Sequence, residues 1–383
     1  MRMKKLLILS AAVLGAVACS NTYEVKTAPE KAIGFGTWTE TLTKAHDPGA
    51  TTNFVVGEKF NVYGTKLVES TSHDVFIGTT VEKTADSPET WTYAPLRFWD
   101  QSATSYTFYA VAPEGLLDGS GASANTAGVF TSEPIEFTDG SSEKTNIKDI
   151  LVAAKTTVTK TGAPAAFAKT PVNLPFYHIA SLVDLKVQKH NDLEVVGEDA
   201  KNYIKVAVSA ISLSNIDGNG HFTVSAYGDT SPYAPVTNAS TWTEETGAVK
   251  KTYNHTSGYV TATLPTDVNA VSANTPNALI TKLVAMPQTF RTDGSADQTV
   301  TITYTIETCE GGKSSTTEPI TASFDLKEFD NAQDYTNTES NYITGWLPGI
   351  HYTYIITIAA NAITFTASIQ DWTTSNGYHY LIN

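Results

Sequence analysis

The sequence predicts an all-β protein made of β-sandwiches. Runs that alternate between apolar and polar residues recur along the chain, and their abundant Thr, Tyr, Val and Ile suit a pleated, half-buried strand. Short turns of Gly, Pro, Asn, Asp and Ser separate these runs, and no long stretch has a helical period. Many short strands with frequent turns are typical of sandwiches. The clearest strand signals are residues 54–56, 60–64, 105–111, 184–187, 205–208, 259–264, 299–306 and 320–326.

Residues 1–18 have the pattern of a secretory signal peptide. Arg2, Lys4 and Lys5 form a basic start, residues 6–17 are an apolar run, and small residues follow. This run is shorter than the roughly 20 apolar residues that a membrane-spanning helix needs. We therefore expect an exported protein whose mature form has no transmembrane helix.

The end of this signal, AVAC at 16–19, resembles a lipobox, the sequence that lipoprotein signal peptidase recognises. The resemblance implies a lipid on Cys19, which becomes the mature N-terminus and anchors the chain in the outer membrane. Each buried CH2 of a lipid contributes about 0.8 kcal/mol, so several chains would hold the protein there. Lipoboxes usually have Leu where Ala16 stands, and the alternative is ordinary cleavage after Ala18. Residues 19–31 are polar and are expected to be a tether.

Length and composition limit the number of domains and exclude one class of partner. The 383 residues are enough for two or three domains of ordinary size, and the 41% hydrophobic content is enough to bury cores. The net charge of −14, with no basic cluster after the signal, argues against a nucleic-acid partner. The chain changes character near residue 175, after a Gly/Ser/Thr-rich region at 118–146. We therefore expect an N-terminal domain over 32–175 and a C-terminal domain over 176–383.

Two strings resemble ligand-binding loops but lack an essential residue. Gly312-Lys313-Ser314 resembles the end of a phosphate-binding loop, but Glu307 stands where its leading Gly is needed. Strand signals flank this string, so we expect a hairpin loop. Residues 215–220 match the first half of a calcium loop, but Ala226 replaces the bidentate Glu, and a turn is expected instead.

Other chemistry-bearing residues are expected to be structural. No His has a second His or Cys at metal-ligand spacing, and His178, on an apolar segment, is expected to be a hydrogen-bonded core or interface residue. Cys309 has no partner once Cys19 carries a lipid, and is expected to be an unreactive thiol. Trp91 and Trp99 are expected in a core rather than on a sugar platform. We predict no catalytic residue, no metal and no cofactor.

Eight stretches, in this order, support a family resemblance that spans nearly all of the mature chain. The chain resembles the fimbrillin-like lipoproteins, which are subunits of cell-surface fimbriae (type V pili). The stretches are IGFGTW at 33–38, TKA at 43–45, LRFW at 96–99, YTFYAVAP at 106–113, DILVA at 149–153, LPFYHIASLV at 174–183, LPGIHYTY at 347–354 and ITFTASIQDW at 363–372.

The resemblance implies a fold and a route of assembly. It implies two transthyretin-like β-sandwich domains in tandem, and a surface-exposed outer-membrane lipoprotein that becomes part of a fimbrium and contributes to adhesion. It also implies that a trypsin-like protease removes an N-terminal strand, and that the opened groove takes a strand from another subunit. The implied partners are other fimbrial subunits or a second copy of the chain, with a host or bacterial receptor or glycan as a further partner.

The processing site carries over only in part. Members of the family commonly have Arg before the residue that corresponds to Ala45, whereas this chain has Lys44. An Arg-specific protease would not cut there, but a broader trypsin-like enzyme would. The alternative is that Lys44 is an exposed loop lysine, and an uncut chain would be an anchor or another accessory subunit.

Residues 352–383 contain two possible donor strands. Ile356 and Ile358 continue one period-2 run, and Phe365 and Ile369 belong to a second run after a short link. One interpretation is a closing hairpin of the second domain. The other, which the family resemblance offers, is that one or both strands are donated to the groove of a neighbour.

Two rival classes remain open at the level of sequence. A surface glycan-binding lipoprotein would also be acidic, β-rich and lipidated, and its mark would be clustered surface Trp and Tyr. A β-sandwich hydrolase would need a pair of carboxylates that meet only in the folded chain. The mark of the pilus subunit would be a strand before residue 45 wedged in a groove.

Overall fold

The structure is a computed structural model, in which the described residues are 32–37, 54–117, 129–137, 149–162, 166–167, 170–195, 197–224, 240–254, 259–261, 263–291, 297–328, 330–331, 343–360 and 363–371. These residues form strands and short 3-10 turns, and none of their helical segments is long and apolar enough to cross a membrane. The 3-10 turns are Asn191–Leu193, Val271–Ala273 and Leu326–Glu328.

Strands β1 to β10 occupy the first half of the chain. They are β1 Phe35–Thr37, β2 Lys59–Val68, β3 Thr71–Asp86, β4 Glu89–Thr92, β5 Ser105–Ala112, β6 Phe130–Thr131, β7 Ile135–Glu136, β8 Leu151–Thr159, β9 Val172–Leu174 and β10 Phe176–His178.

Strands β11 to β24 occupy the second half. They are β11 Ser181–Lys189, β12 Tyr203–Ile216, β13 Asn219–Val224, β14 Ser240–Glu244, β15 Lys251–Asn254, β16 Asn277–Ala285, β17 Gln288–Thr289, β18 Thr299–Glu310, β19 Lys313–Thr316, β20 Ile320–Asp325, β21 Asp330–Asn331, β22 Gly345–Trp346, β23 Ile350–Ile358 and β24 Ile363–Asp371.

The first sandwich is built on a six-stranded antiparallel sheet in the order β10-β8-β5-β2-β3-β4. Alternate side chains of its strands point to one face, as the period-2 pattern predicts. The parallel pair β1–β9 packs on that face and closes the layer. The resulting first core includes Ile33, Phe35, Phe54, Phe60, Val62, Phe76, Val81, Trp99, Tyr106, Phe108, Leu151, Phe167, Val172, Leu174 and Phe176.

The second sandwich packs two five-stranded sheets against each other. One has the order β16-β11-β23-β24-β21, and the other has the order β15-β12-β18, with β19 and β20 both on β18. Their facing side chains form a second core, which includes Val183, Leu185, Val187, Val206, Val208, Ile211, Val300, Ile302, Tyr304, Trp346, Tyr352, Tyr354, Ile356 and Ile358. The predicted all-β sandwich fold is confirmed.

A small sheet and a third core connect residues from the two halves. Strand β13 pairs with β14 on one side and with β6 and β7 on the other, so residues 130–136 share a sheet with residues 219–244. This sheet covers the opposite face of the six-stranded sheet, where the third core includes Tyr63, Tyr109, Val111, Phe130, Phe137, Ile150, Val152, Ile179, Leu182, Phe222, Val224, Val284 and Met286. Strand β10 pairs with β8 of the first sheet, and the domain boundary at 175/176 stays a prediction.

Most of the predicted strands are confirmed, and two are wrong. Residues 54–56 lead into a turn, in which Glu58 N–H donates to Val55 O at 3.1 Å, and Val55 and Val56 are half exposed. In the predicted run 259–264, of which residues 259–261, 263 and 264 are described, Val260 forms an isolated bridge with Ile280 instead of a strand. Both segments have strand-like composition, but neither forms a regular ladder. Gly57 N–H, just after the first, donates to Lys83 O of β3, and Thr261 N–H in the second donates to Leu279 O of β16. Tertiary context therefore overrides propensity here.

The two motif-like strings are turns, as predicted. Gly311 and Gly312 connect β18 to β19 with φ angles of +58° and +80°, a backbone that glycine adopts without strain. Asp217 and Gly218 connect β12 to β13, which lie in different sheets, and the positive φ in this string is that of Asn215, at +63°.

Candidate functional site

The N-terminal strand β1 is wedged into the first core. Ile33 is fully buried and Phe35 is 4% exposed, although the strand is only three residues long. Edge-to-face aromatic pairs add about 0.5–1.5 kcal/mol to the effect of burial, which makes Phe35 the main anchor of β1. With ring centroids 5.2–6.4 Å apart, the Phe35 ring makes edge-to-face contacts with Phe60, Phe76, Tyr93 and Phe108.

The glycines between the two apolar anchors let β1 lie close to β9. The two strands pair in parallel, and Val172 N–H donates to Gly34 O at 2.8 Å. A Cβ on Gly36 would come within 3.1 Å of Asn173 Oδ1 and 3.6 Å of Pro171 Cβ. The pattern of apolar residues alternating with glycine therefore matches a strand with one face in the core and the other against a neighbour.

The other edge of β1 meets a loop segment. Ile33 N–H donates to Arg97 O at 2.8 Å, and Ala32 forms an antiparallel bridge with Phe98. The Tyr93 hydroxyl donates to Ile33 O at 2.6 Å. Burial raises the pKa of Tyr93, so this hydroxyl keeps its proton at neutral pH and remains a donor.

We call this surrounding structure the β1 seat: β9 along one edge, Arg97 and Phe98 along the other, and Phe60, Phe76 and Phe108 beneath. Burying the two apolar anchors contributes roughly 1.5–3 kcal/mol for each side chain. Because the ladder is short, most of the stabilisation comes from this burial. Removing β1 would leave an apolar groove in the first core.

The predicted lipidation and processing residues Cys19, Lys44 and Ala45 lie outside the described residues. Their roles therefore stay predictions. The order of the chain nevertheless has a consequence: Lys44 falls between β1 and the rest of the first sandwich, which resumes at Phe54. A cut after Lys44 would separate β1 covalently from the domain that it completes.

The predicted donor residues fall on two strands with different surroundings. Strand β23, with Ile356 and Ile358, pairs along eight residues with β11 and along nine with β24. Both of these side chains are fully buried. Strand β24, with Phe365 opposite Ile356 and Ile369 opposite Tyr352, has on its other edge only the two-residue β21 within the described chain. Only β24 could leave the sheet without also breaking the pairing with β11.

Polar contacts also hold β23 in the second core. Trp346 Nε1 donates to the Tyr354 hydroxyl at 2.8 Å, and Leu347 N–H donates to the Tyr352 hydroxyl at 2.9 Å. Burial raises the pKa of Tyr352 to about 12 and that of Tyr354 well above its ordinary value. The alternating pattern of 352–358 indicated the buried face of the strand but gave no sign of these hydrogen bonds.

A family model described as fimbrillin-like matches residues 43–372, which is most of the chain and runs from just after β1 to just after β24. The chain belongs to the fimbrillin-like family. The family resemblance stated from sequence motifs is therefore confirmed.

Solved structures similar to this fimbrillin-like protein come from Bacteroidetes. A fimbrial protein from Bacteroides vulgatus is 16% identical, with 90% of this chain and 100% of that chain covered and a TM-score of 0.49. A candidate cell adhesion protein from Bacteroides uniformis is 16% identical, with coverages of 84% and 93% and a TM-score of 0.43. The family assignment rests on the family model alone. Among curated proteins, no sequence matches.

His178, Trp91 and Trp99 of this fimbrillin-like protein pack against buried side chains. His178 is buried, with 2.5 Å between its Nδ1 and Asp149 Oδ2. Trp99 stacks on Phe167 in the first core, and Trp91 packs against Phe54 and Phe60 there, as predicted. Within the described ranges, every Trp and Tyr is buried or partly buried, so the surface clusters expected of a glycan binder are not found in that part of the chain.

Asp217, in the turn that resembles a calcium loop, is already neutralised. Its carboxylate is 2.7 Å from Lys250 Nζ and also contacts Arg291. Its N–H donates to Gln288 Oε1 at 3.0 Å. Two cations beside a carboxylate repel a third, and the described residues contain no group of three His, Cys, Asp or Glu side chains that could hold a metal.

We therefore expect EDTA to leave the melting temperature of the protein unchanged, because ion pairs rather than a metal hold the Asp217 turn. Differential scanning calorimetry with and without the chelator tests this. A fall of several degrees that calcium reverses would contradict the assignment of this segment as a turn.

Proposed function

We propose that this fimbrillin-like protein is a structural subunit of cell-surface fimbriae that joins its neighbours by strand exchange. The observation that carries the proposal is the short strand β1, seated in an apolar groove and placed before Lys44 in the chain. A strand in this position is what separates a pilus subunit from the rival classes. Membership of the fimbrillin-like family supports the same role, and adhesion would be the property of the assembled fibre.

The first step is export to the outer membrane as a lipoprotein. The basic and apolar signal over residues 1–18 directs secretion, Cys19 takes the lipid, and residues 19–31 span the distance to β1. In this precursor β1 fills its own seat, so the groove is closed and premature pairing with another copy is prevented.

The second step is cleavage after Lys44, which makes Ala45 the new N-terminus. The cut breaks the covalent link between β1 and the first sandwich, and β1 is then held only by its two buried side chains and a few hydrogen bonds. Once it leaves, Phe60, Phe76 and Phe108 line an apolar groove that is open to a strand from a neighbour.

The third step is donation of β24 from a second copy. This strand has nine residues, whereas β1 has three, so it can form a longer ladder in the seat. The ladder that β24 gives up with β23 and the ladder that it forms in the neighbour largely offset each other. Leaving its own sheet also removes β24 side chains such as Ala367 from the second core, so the exchange is driven by the burial in the vacated groove in excess of that loss.

Cys19→Ala is expected to abolish lipidation and membrane retention, because Cys19 is the predicted attachment site. The measurement is partitioning of the cell-envelope fraction between detergent and aqueous phases. A variant found wholly in the detergent phase would exclude Cys19 as the anchor. Ser20→Ala, at the next residue, serves as the control and should partition like the wild type.

Lys44→Ala is expected to block processing, and Lys44→Arg to preserve it, because a trypsin-like protease needs a basic residue before the cleaved bond. N-terminal sequencing of protein purified from cell surfaces measures the outcome, with Ala45 as the expected first residue of the processed form. Lys31→Ala, a change of the same type before β1, should be processed normally. A start at Ala45 in the Lys44→Ala variant would show that another site sets the cut, and unprocessed wild-type protein within fibres would overturn the proposal.

A further inference from the structure

We propose that an open cleft beside the β1 seat is the entry point for the incoming strand, and that β24 of a second copy binds there before it displaces β1. The inference rests on the proposed strand exchange and adds its first step. Cleavage after Lys44 leaves β1 held by burial and hydrogen bonds. A strand that replaces it therefore needs an accessible place to begin pairing.

The cleft has a volume of about 450 Å³ and lies between β3 and the segment at residues 96–98. Two of its side chains are apolar and exposed, Ile77 at 56% and Phe98 at 49%. Such neighbouring exposed apolar groups gain burial when an apolar strand covers them. The cleft is lined by Lys66, Asp74, Val75, Ile77, Thr79, Arg97, Phe98 and Tyr106.

The edge of β3 beside this cleft has no strand on its outer side among the described residues. Pairing with β4 begins at Glu82, so residues 71–81 pair only with β2. One outward carbonyl, Val75 O, accepts a hydrogen bond from Arg97 Nε at 3.2 Å, which holds the loop segment against the edge. An open edge with apolar side chains along it is the feature that β-strand addition uses.

The cleft and the β1 seat share the same two residues. Arg97 and Phe98 line the cleft, and they also form the far edge of the seat through the hydrogen bond from Ile33 and the bridge with Ala32. A strand that has bound in the cleft can therefore extend along this backbone. It would remove the contacts of Ala32 and Ile33 first and those of Phe35 last.

The chemistry of the cleft fits β24 of a second copy. Lys66 is already paired with Asp100 at 2.6 Å, whereas the terminal nitrogens of Arg97 have no partner within the described part of the chain. The β24 sequence ITFTASIQD offers spaced apolar residues to Ile77 and Phe98, and Asp371 at its end offers a carboxylate to Arg97.

The test combines two changes in the cleft with a matched surface control. The double variant Ile77→Ser and Phe98→Ser removes the exposed apolar groups, and Val249→Ser changes a side chain that is 77% exposed elsewhere. Each protein, beginning at residue 20, is cut by trypsin at limiting concentration, and fibre growth is followed by light scattering and electron microscopy. We expect the double variant to grow fibres about tenfold more slowly, to reach the same final yield, and to have a strand content by circular dichroism equal to that of the wild type. The control should match the wild type.

A second measurement separates the cleft from strand exchange itself. A synthetic peptide of residues 363–371 is titrated into the uncut protein, whose seat is still filled by β1. Binding to the wild type and to Val249→Ser, but not to the double variant, is the expected result. Equal binding to all three, or equal rates of fibre growth, would overturn the cleft as the entry point. If the peptide binds at the cleft but the cut wild type grows no fibres, the cleft would be supported as a binding site and strand exchange would be contradicted.

Discussion

Phe35→Ala is expected to destabilise the first sandwich by about 3–5 kcal/mol, the range found when a buried Phe is truncated. The variant leaves a cavity in the β1 seat and removes the edge-to-face contacts with four aromatic rings. Urea unfolding followed by tryptophan fluorescence measures the loss, because Trp91 and Trp99 report on this core.

The control for this prediction is the same substitution at a neighbouring position. Phe98 is half exposed, so Phe98→Ala should cost less than half as much as Phe35→Ala. Phe35→Leu retains most of the apolar volume and should fall between them. If Phe35→Ala unfolds at the same urea concentration as the wild type, β1 contributes nothing to the first core, and a groove opened by processing loses its physical basis.

Truncation after Asn361 is expected to give a folded subunit that forms no fibres. It removes β24, the strand proposed for donation, but leaves β23 paired with β11 along eight residues. The two layers of the second core remain, with Tyr352, Tyr354, Ile356 and Ile358 still facing it. Circular dichroism of the truncated protein and electron microscopy of surface fibres are the two measurements.

The matched control for this truncation ends the chain after Asp371, which keeps β24 and should form normal fibres. Normal fibres from the chain that ends at Asn361 would exclude donation of β24. A protein truncated at Asn361 that cannot fold would instead favour a closing hairpin that belongs permanently to the second sandwich.

Local pattern predicted the individual strands better than it predicted their partners. The runs in β2, β5, β12 and β18 are confirmed because alternation alone marks a half-buried strand. Pairing of β11 with β23, or of β13 with β6 and β7, joins segments far apart in sequence. Which strands pair depends on the side chains that become buried in the folded chain, so the periodicity within one segment does not predict its partner.

The β1 seat was easier to anticipate than the cleft beside it. The order Ile33-Gly34-Phe35-Gly36 shows two large apolar residues separated by glycines, which suits a strand pressed between a core and a neighbour. The cleft depends on Ile77 being exposed. The positive φ of Gly78 and the shift in register beside it interrupt the alternation of β3. The sequence pattern therefore does not predict whether Ile77 faces the core or the solvent.

The parallel pairing of β11 with β23 sets the mechanical behaviour of a fibre built from this subunit. If a neighbour holds the donated β24, tension reaches the second sandwich through the covalent link to β23, which stays paired with β11. A pull along the strand axis loads the eight paired residues of β11 and β23 together, in shear, instead of opening them one at a time. The third core then passes the tension to the first sandwich, so each subunit would resist extension as a stiff link until a whole ladder fails at once.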